Sequence, residues 1–548
     1  MAGNTEPVAH AIRSHAHEEI PGTVDMKAEA GDDIAYGLAR YPVPSQDPND
    51  PLLWPNWQKR TTLFLVSAYS FFANSALLGP SVYVNYLAEL YQRTPNETSR
   101  LVTYPNLLFG LGSIVFVPMY HRLGRRPVML ISLLCYIAGL IGCALSTSYN
   151  SLLAFRIIHA FGSSVCEALP AQVVSDVFFL HERGSALGWY TFALATGSLG
   201  ALVASYMLAA GLSYGLFFWV QFAAAALLFI GTFFFFEETM FFRDTTIEVS
   251  SSSQATASDD PSEPKETGYD EFVENPSISA DISLRTRKTW VQRLRIVDKV
   301  DHDSPIIMMV VRSFTYFAVP PVFWVCTTYG MVIGLAALGF TSTFPVIVAA
   351  PPYNWPIENT GLVSVGAFVG YLAAAWPFSH LPDKYAAYLT RRNNGIREAE
   401  FRLYCLAIVF FVSPASLILY GYAAERQLHW SALVVATGLF QFGAFFGMTY
   451  TLAYALDSYE SKVPEMLIAM NIGKQSISFG FGFSVLDWIM EHGYITMFAG
   501  IFCAILTINN LAVFGFIAFG KPMRRWFSKT WLAELHRNSI GTDRNTSL

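Results

Sequence analysis

Three ionisable side chains fall in a stretch that has few other polar residues. The segment RIIHAFGSSVCEALP, Arg156 to Pro170, lies inside an apolar run from about Ser151 to Asp176 and carries Arg156, His159 and Glu167. At ~100° per residue in a helix, Glu167 lies about three turns past Arg156 and returns to within ~20° of it. Ser163 falls between them and His159 beside them, which predicts one polar stripe. A second segment, NIGKQSISFGFG (Asn471 to Gly482), places Asn471, Lys474, Gln475 and Ser478 on one helical face. Lys474 is the only basic residue deep in an apolar run of the second half of the chain, as Glu167 is the only acid deep in the first. A charge at the centre of a bilayer costs ~3 kcal/mol or more, so such groups face a water-filled path or a partner. Their chemistry is therefore charge pairing, solute contact and proton exchange. A carboxyl that is wet in one state and closed off in another can load and release a proton.

Alternatives stand beside each of these readings. Arg156 either modulates proton exchange or holds the helices together. His159 is a packing residue or a relay. Lys474 is a counter-ion for Glu167 or a contact for an anionic substrate group. Asn74, Asn106, Tyr329 and Gln441 are mid-run polar residues suited to lining the same path, whereas Asp487 lies on the opposite face of its helix and reads as structural.

Twelve apolar runs of spanning length would position these groups, each close to the roughly 20 residues a membrane helix needs. Six fall near 61–84, 101–120, 127–147, 151–176, 184–211 and 214–236, and six near 315–349, 360–380, 403–424, 430–455, 464–490 and 494–520. The expected organisation is a disordered polar segment (1–58), a six-helix bundle (59–236), a linker (237–312), a second six-helix bundle (313–520) and a tail (521–548). Trp54 and Trp57, in the Pro-rich approach to the first run, read as interface anchors. In the linker, Arg285 to Val297 places Trp290, Leu294 and Val297 on one face. It reads either as an amphipathic helix on the membrane surface or as a solvated basic linker.

Loop charges set an orientation. Arg122, Arg125, Arg126, Arg183, Lys384, Arg391, Arg392, Arg397, Arg402, Lys462, Lys521, Arg524 and Arg525 all fall in loops on one side, while the other side holds Arg93 and Arg426. The positive-inside rule then places both termini and the linker in the cytosol. The sequon Asn96-Glu97-Thr98 falls on the other side, where a glycan would be added.

Composition narrows the class further. Hydrophobic residues make up 53% of the 548-residue chain and charged residues 14%, against about 25% charged in an ordinary soluble domain. A net charge of -6 without a basic aromatic patch argues against nucleic acid. The six cysteines lie within apolar runs at no metal-type spacing and read as packing residues. There is no His cluster, nucleophile triad order or phosphate loop, so neither an enzyme nor an ATP-driven pump is expected, and no cofactor is implied.

The segment VPMYHRLGRRPVML, Val117 to Leu130, resembles the loop signature of the major facilitator superfamily, written G-x-x-x-D-R-x-G-R-R/K. Leu123, Gly124, Arg125, Arg126 and Pro127 match its second half, while His121 stands where the family has an acid that helps lock the cytosolic gate. By this resemblance the lock is weaker here or made by other groups. His121, Arg122, Gly124, Arg125 and Arg126, with Asp383, Arg391 and Arg392 of the matching loop in the second half, are the expected gate-loop residues. Arg156 also matches the family's R-x-x-Q-G, with His159 and Ala160 in place of Gln and Gly. Gly197 and Gly200 fit the antiporter signature ending G-P-x-x-G, but Ala201 stands where Pro usually follows. The stretches DPNDPLLWPNW, SDVFFLHERGSALG, FEETMFFR and RRNNGIREAEFRL resemble fungal members of the drug:proton antiporter branch.

The resemblance implies an all-α membrane protein of 12 transmembrane helices in two six-helix bundles, working by alternating access. It implies a small-molecule substrate, protons as coupling partner, the lipid bilayer as environment, the plasma membrane as location and a monomer as working unit. Proton-coupled export of a drug-like or secondary-metabolite compound is the first expectation, and proton symport of a small polyamine-like cation the alternative. A non-transporting solute receptor is the reading from another class.

Overall fold

The computed structural model describes residues 23–25, 45, 47–241, 288–297, 300–301, 306–334, 339–378, 381–393, 396–458 and 463–537. Among the described residues, ten helical segments are long and apolar enough to cross a membrane. These are α1 (Asn56–Tyr91), α2 (Asn96–Leu123), α3 (Arg125–Leu145), α4 (Tyr149–Val177), α5 (Ala186–Ala209), α6 (Tyr214–Phe235), α7 (Pro320–Ala349), α9 (Ala399–Glu425), α10 (Trp430–Ala455) and α12 (Ile495–Ser528). Two more complete the set of twelve: α8 (Leu362–Phe378), which is short, and α11 (Val463–His492), which spans 30 residues. Glu465 lies in the first turn of α11, and Asn471, Lys474, Gln475 and Ser478 place polar groups near its middle.

The chain is an all-helical membrane protein in which α1–α6 and α7–α12 form two bundles. Among the described residues the only strands are β1 (Thr23–Asp25) and β2 (Ile396–Glu398), a short antiparallel pair that joins the N-terminal segment to the connection between α8 and α9. In the first bundle, Tyr69, Tyr120, Tyr136, Phe217 and Phe218 are fully buried in one continuous core. Ile468 and Ile472 of α11 belong to that same core, so the second bundle is keyed into the first.

The helices of the first bundle are not continuous rods. α1 runs as α-helix over Asn56–Leu78, tightens to 3₁₀ over Gly79–Tyr83 and resumes at Val84–Tyr91. α4 tightens to 3₁₀ over Ser164–Cys166 and resumes at Ala168. Proline explains both, since it has no N–H for the carbonyl four residues earlier and its ring crowds that carbonyl. Pro80 orphans the carbonyl of Ala76, Pro170 that of Cys166, and Pro105 within α2 that of Leu101. In the low-dielectric interior each of these needs a new partner. Gly200 sits so close to Ser75 of α1 that a Cβ would collide with its side chain and backbone, which is how α5 and α1 come into contact.

Candidate functional site

Arg156 resolves two of the proline breaks. Its side chain is fully buried, with Nε donating to the Leu101 carbonyl (2.6 Å), Nη1 to Ala76 (3.0 Å) and Nη2 to Leu77 (2.9 Å). Two of these acceptors are the carbonyls that Pro105 and Pro80 leave without an intrahelical donor. The guanidinium fork thus ties α4 to the irregular turns of α1 and α2. The third break is closed by Ser70, whose hydroxyl donates to the Cys166 carbonyl at 2.7 Å.

The predicted stripe is therefore corrected. Arg156 points into the bundle at α1 and α2, and all three of its hydrogen bonds end on backbone. His159 is fully buried against α3, where its backbone and Cβ fill the space beside Gly139 and its ring meets Tyr136 edge-on at 6.1 Å. It does not line a cavity with Glu167. The extrapolation assumed an unbroken helix, and the 3₁₀ turn at Ser164–Cys166 interrupts it.

Glu167 stands directly after that turn, and there the two halves meet. Lys474 Nζ of α11 forms a charge-assisted hydrogen bond to Glu167 Oε2. The Glu167 side chain keeps 18% of its surface exposed and Lys474 8%, so the pair is partly accessible. Lys474 Nζ also lies 5.7 Å from the centroid of the Tyr329 ring, a cation–π geometry. Tyr329 is held by donating to the Met448 carbonyl of α10 (2.8 Å). Tyr190 of α5, which the sequence did not single out, donates to the Glu167 backbone carbonyl at 3.0 Å. One carboxylate, one ammonium and two tyrosines from α4, α11, α7 and α5 thus converge between the bundles.

The other predicted cavity residues separate from this cluster. Asn471 and Gln475 face α2, where a Cβ on Gly110 would meet both the Gln475 side chain and the Asn471 carbonyl. Ser478 accepts from Asn106 Nδ2 at 3.1 Å. The polar face of α11 therefore divides: Lys474 turns to Glu167, and its neighbours turn to α2. Asn74 donates to the Leu194 carbonyl of α5 (2.7 Å), a contact within the first bundle, and Gln441 is half-buried on α10.

The bundles are sealed together at the end opposite the termini. Tyr104 of α2 meets Phe479 of α11 edge-on (5.3 Å), Arg100 lies over the Phe483 ring (5.0 Å), and Gly361 before α8 packs on Leu202 and Ser205 of α5. Asn96 belongs to this seal, its side-chain amide donating to Asp487 Oδ2. The glycosylation reading of Asn96 meets a physical objection here. The sequon lies in the first turn of α2, Thr98 is buried, and the nitrogen a glycan would occupy already bonds Asp487.

At the termini end, Gly124 turns the chain from α2 to α3 at φ 102°, in the left-handed region, and a Cβ there would strike the Glu238 carboxylate. Glu238 accepts the backbone N–H groups of Arg125 (2.9 Å) and Arg126 (3.1 Å), an acid at the N-terminus of α3. Burial pushes its carboxyl above the usual range, and these N–H groups pull it back. Arg125 Nε pairs with Asp176 Oδ2 (3.0 Å), which also accepts from Thr239 (3.2 Å). His121 rests beside the Tyr120 ring (centroids 4.6 Å), and the Arg122 carbonyl accepts from the Asp301 backbone N–H at 2.9 Å. The acid missing at His121 is thus matched by two carboxylates from elsewhere in the first bundle, Asp176 in the last turn of α4 and Glu238 after α6. Their signal was present in SDVFFLHERG and FEETMFFR, but only the fold brings them to this turn. In the second half, Arg391 and Arg392 are exposed at the end of the helix Leu381–Arg392, and the Asp383 side chain lies outside the described residues.

The linker also departs from expectation. Among the described residues its helix is a single turn, Trp290–Arg293, docked on the first bundle, and residues 285–287 of the expected helix lie outside them. Arg293 pairs with Glu237 (3.2 Å), its carbonyl accepts from Arg126 Nη1, and the Lys288 N–H donates to Asn49 Oδ1 (2.9 Å).

The model of the Major Facilitator Superfamily matches residues 63–485. An MFS-type transporter of Schizosaccharomyces pombe is 25% identical, with 95% of this chain and 96% of that protein covered. The efflux pump vrtL of Penicillium aethiopicum is 24% identical over 80% of each chain. Among solved structures, the proton:xylose symporter XylE bound to 6-bromo-6-deoxy-D-glucose superposes with a TM-score of 0.55 at 14% identity, covering 85% of this chain and 97% of that one. Its likeness concerns the fold alone. Twelve helices in two keyed bundles, the glycine turn at Gly124 and a family match across both halves lead to one conclusion: the chain belongs to the Major Facilitator Superfamily and is a membrane transporter of small molecules, not an enzyme.

Proposed function

We propose that this transporter exports a small organic molecule, of drug-like or secondary-metabolite type, in exchange for protons, with Glu167 as the coupling carboxyl. The observation that carries the reading is the Glu167–Lys474 pair, a partly accessible ion pair joining one bundle to the other. An ionised carboxylate holds the ammonium, and a proton on Glu167 removes that attraction. Proton arrival therefore frees Lys474 and loosens one tie between α4 and α11, while deprotonation restores it. Arg156 acts as a positioning residue that fixes α4, and thereby Glu167, against α1 and α2. The similarity to an efflux pump of Penicillium aethiopicum supports the outward direction.

A second reading rests on how Lys474 itself is held. Its ammonium sits between a carboxylate and the Tyr329 ring, an arrangement that would equally hold an organic cation taken up with protons. In both readings the termini face the cytosol, as the arginines around the Gly124 turn favour, the membrane is the plasma membrane and the working unit is a monomer. Flux measured in reconstituted vesicles under an imposed pH gradient separates the two. Export predicts substrate moving against the proton flow, and symport predicts both moving together. Flux of every substrate class tried that ignores the pH gradient would refute proton coupling.

A further inference from the structure

At the termini end, a cavity of about 30 Å³ lies between the start of α1, the end of α6 and the docked linker. Gln58 lines it, 2% exposed, and neither atom of its amide has a hydrogen-bond partner among the described residues. A buried amide left unpaired is costly, so this one marks a place for something that both accepts and donates. The charges around it are Lys288, Arg293 and Arg295 against Glu237 and Glu238. Both carboxylates are already engaged, Glu237 by Arg293 and Glu238 by the N–H groups opening α3. The cavity holds roughly two water-sized groups at ~10–15 Å³ each, and Arg295 is exposed at its rim. Trp54 lines the same cavity and Trp57, next to Gln58 in the sequence, is exposed; tryptophans of this kind are enriched at the membrane–water interface.

From this geometry we infer a binding site for a phosphate group, which fastens the linker to the first bundle. Two anionic oxygens enter the cavity, one taking the Gln58 Nε2 donor, while Arg295 supplies positive charge from the linker side. Gln58 Oε1 takes a hydroxyl carried by the phosphate or by the group esterified to it. Phosphate chemistry of this kind comes either from a hydroxyl-bearing anionic lipid headgroup or from free phosphate in solution. The bound phosphate bridges helix to linker, so its removal loosens residues 288–297 from the bundle.

The full chain in nanodiscs provides the test, with hydrogen exchange of residues 288–297 and native mass spectrometry of retained lipid as readouts. Discs of phosphatidylcholine alone are compared with discs containing phosphatidylinositol, and with phosphatidylcholine discs supplied with inorganic phosphate. Slower linker exchange and retained phosphatidylinositol, weakened about tenfold by Gln58→Leu and by the surface variant Arg295→Ala, support the lipid as source. The same protection from inorganic phosphate alone, with the same dependence on both residues, supports the site with phosphate from solution. No protection from either source, or protection unchanged in both variants, overturns the inference and leaves the cavity to water.

Discussion

Replacing Arg156 by leucine leaves three buried carbonyls, Leu101, Ala76 and Leu77, without their donor. An unpaired buried acceptor costs about 1–3 kcal/mol, giving ~3–9 kcal/mol for the three. Part is offset because the guanidinium no longer has to be buried, and one-sided removals from buried charged networks commonly cost about 3–5 kcal/mol. If the first bundle unfolds as one unit, that loss lowers its melting temperature by something of the order of 10 °C. Arg156→Lys keeps the charge but not the fork, so one ammonium serves three divergent acceptors poorly and the variant falls between wild type and Arg156→Leu. The proline account adds a rescue. Pro105→Ala returns an N–H to the Leu101 carbonyl, so in the Arg156→Leu background it recovers about 1–3 kcal/mol. Thermal unfolding of purified protein in nanodiscs reads the wild type and the three variants at one scan rate, since unfolding of so large a chain is under kinetic control. Arg156→Leu melting with the wild type while the pH dependence of transport shifts would refute the clamp and return Arg156 to the coupling machinery.

Glu238 should give stability a slope with pH. Burial holds its carboxyl above the usual range, so the folded state keeps a proton that the unfolded chain would release. Stability from this group is then fullest below the ordinary carboxylate range and declines as pH rises through the raised value; Glu238→Gln should flatten that decline in a pH series of melting curves. At the opposite end, Asn96→Asp sets a carboxylate against Asp487 and should weaken the seal there. Labelling of a cysteine placed at Ser99, buried in the seal, should then be faster than in a protein with Asn96 intact, and equal rates would count against the seal.

The architecture was largely legible because twelve apolar runs and a polar linker need no long-range information. The individual residues were less so. Glu167 and Lys474 could be paired from the sequence, because a lone acid and a lone base deep in separate apolar runs have few other ways to be tolerated. Arg156 and His159 were misplaced because a uniform ~100° step was carried through a helix that tightens ahead of Pro170. The better signal was four residues upstream of each proline, where Pro80 and Pro105 announce carbonyls in need of a donor. Tyr190 gave no sign in a run of apolar and small residues. Glu238, after the end of α6, and Asp176, in the last turn of α4, lie far from Gly124 in the sequence, and only folding shows that they supply the charge absent at His121. The linker, read as lying on the membrane or in water, instead docks through Glu237 and Asn49.

Proton coupling at the junction of the bundles is tested most directly by Glu167→Gln in reconstituted vesicles, comparing substrate exchange at equal pH with accumulation driven by a pH gradient. A glutamine cannot take up or release a proton, but it fills the same space beside Lys474. The account predicts that exchange continues while gradient-driven accumulation disappears. Accumulation at the wild-type rate in the variant would contradict it.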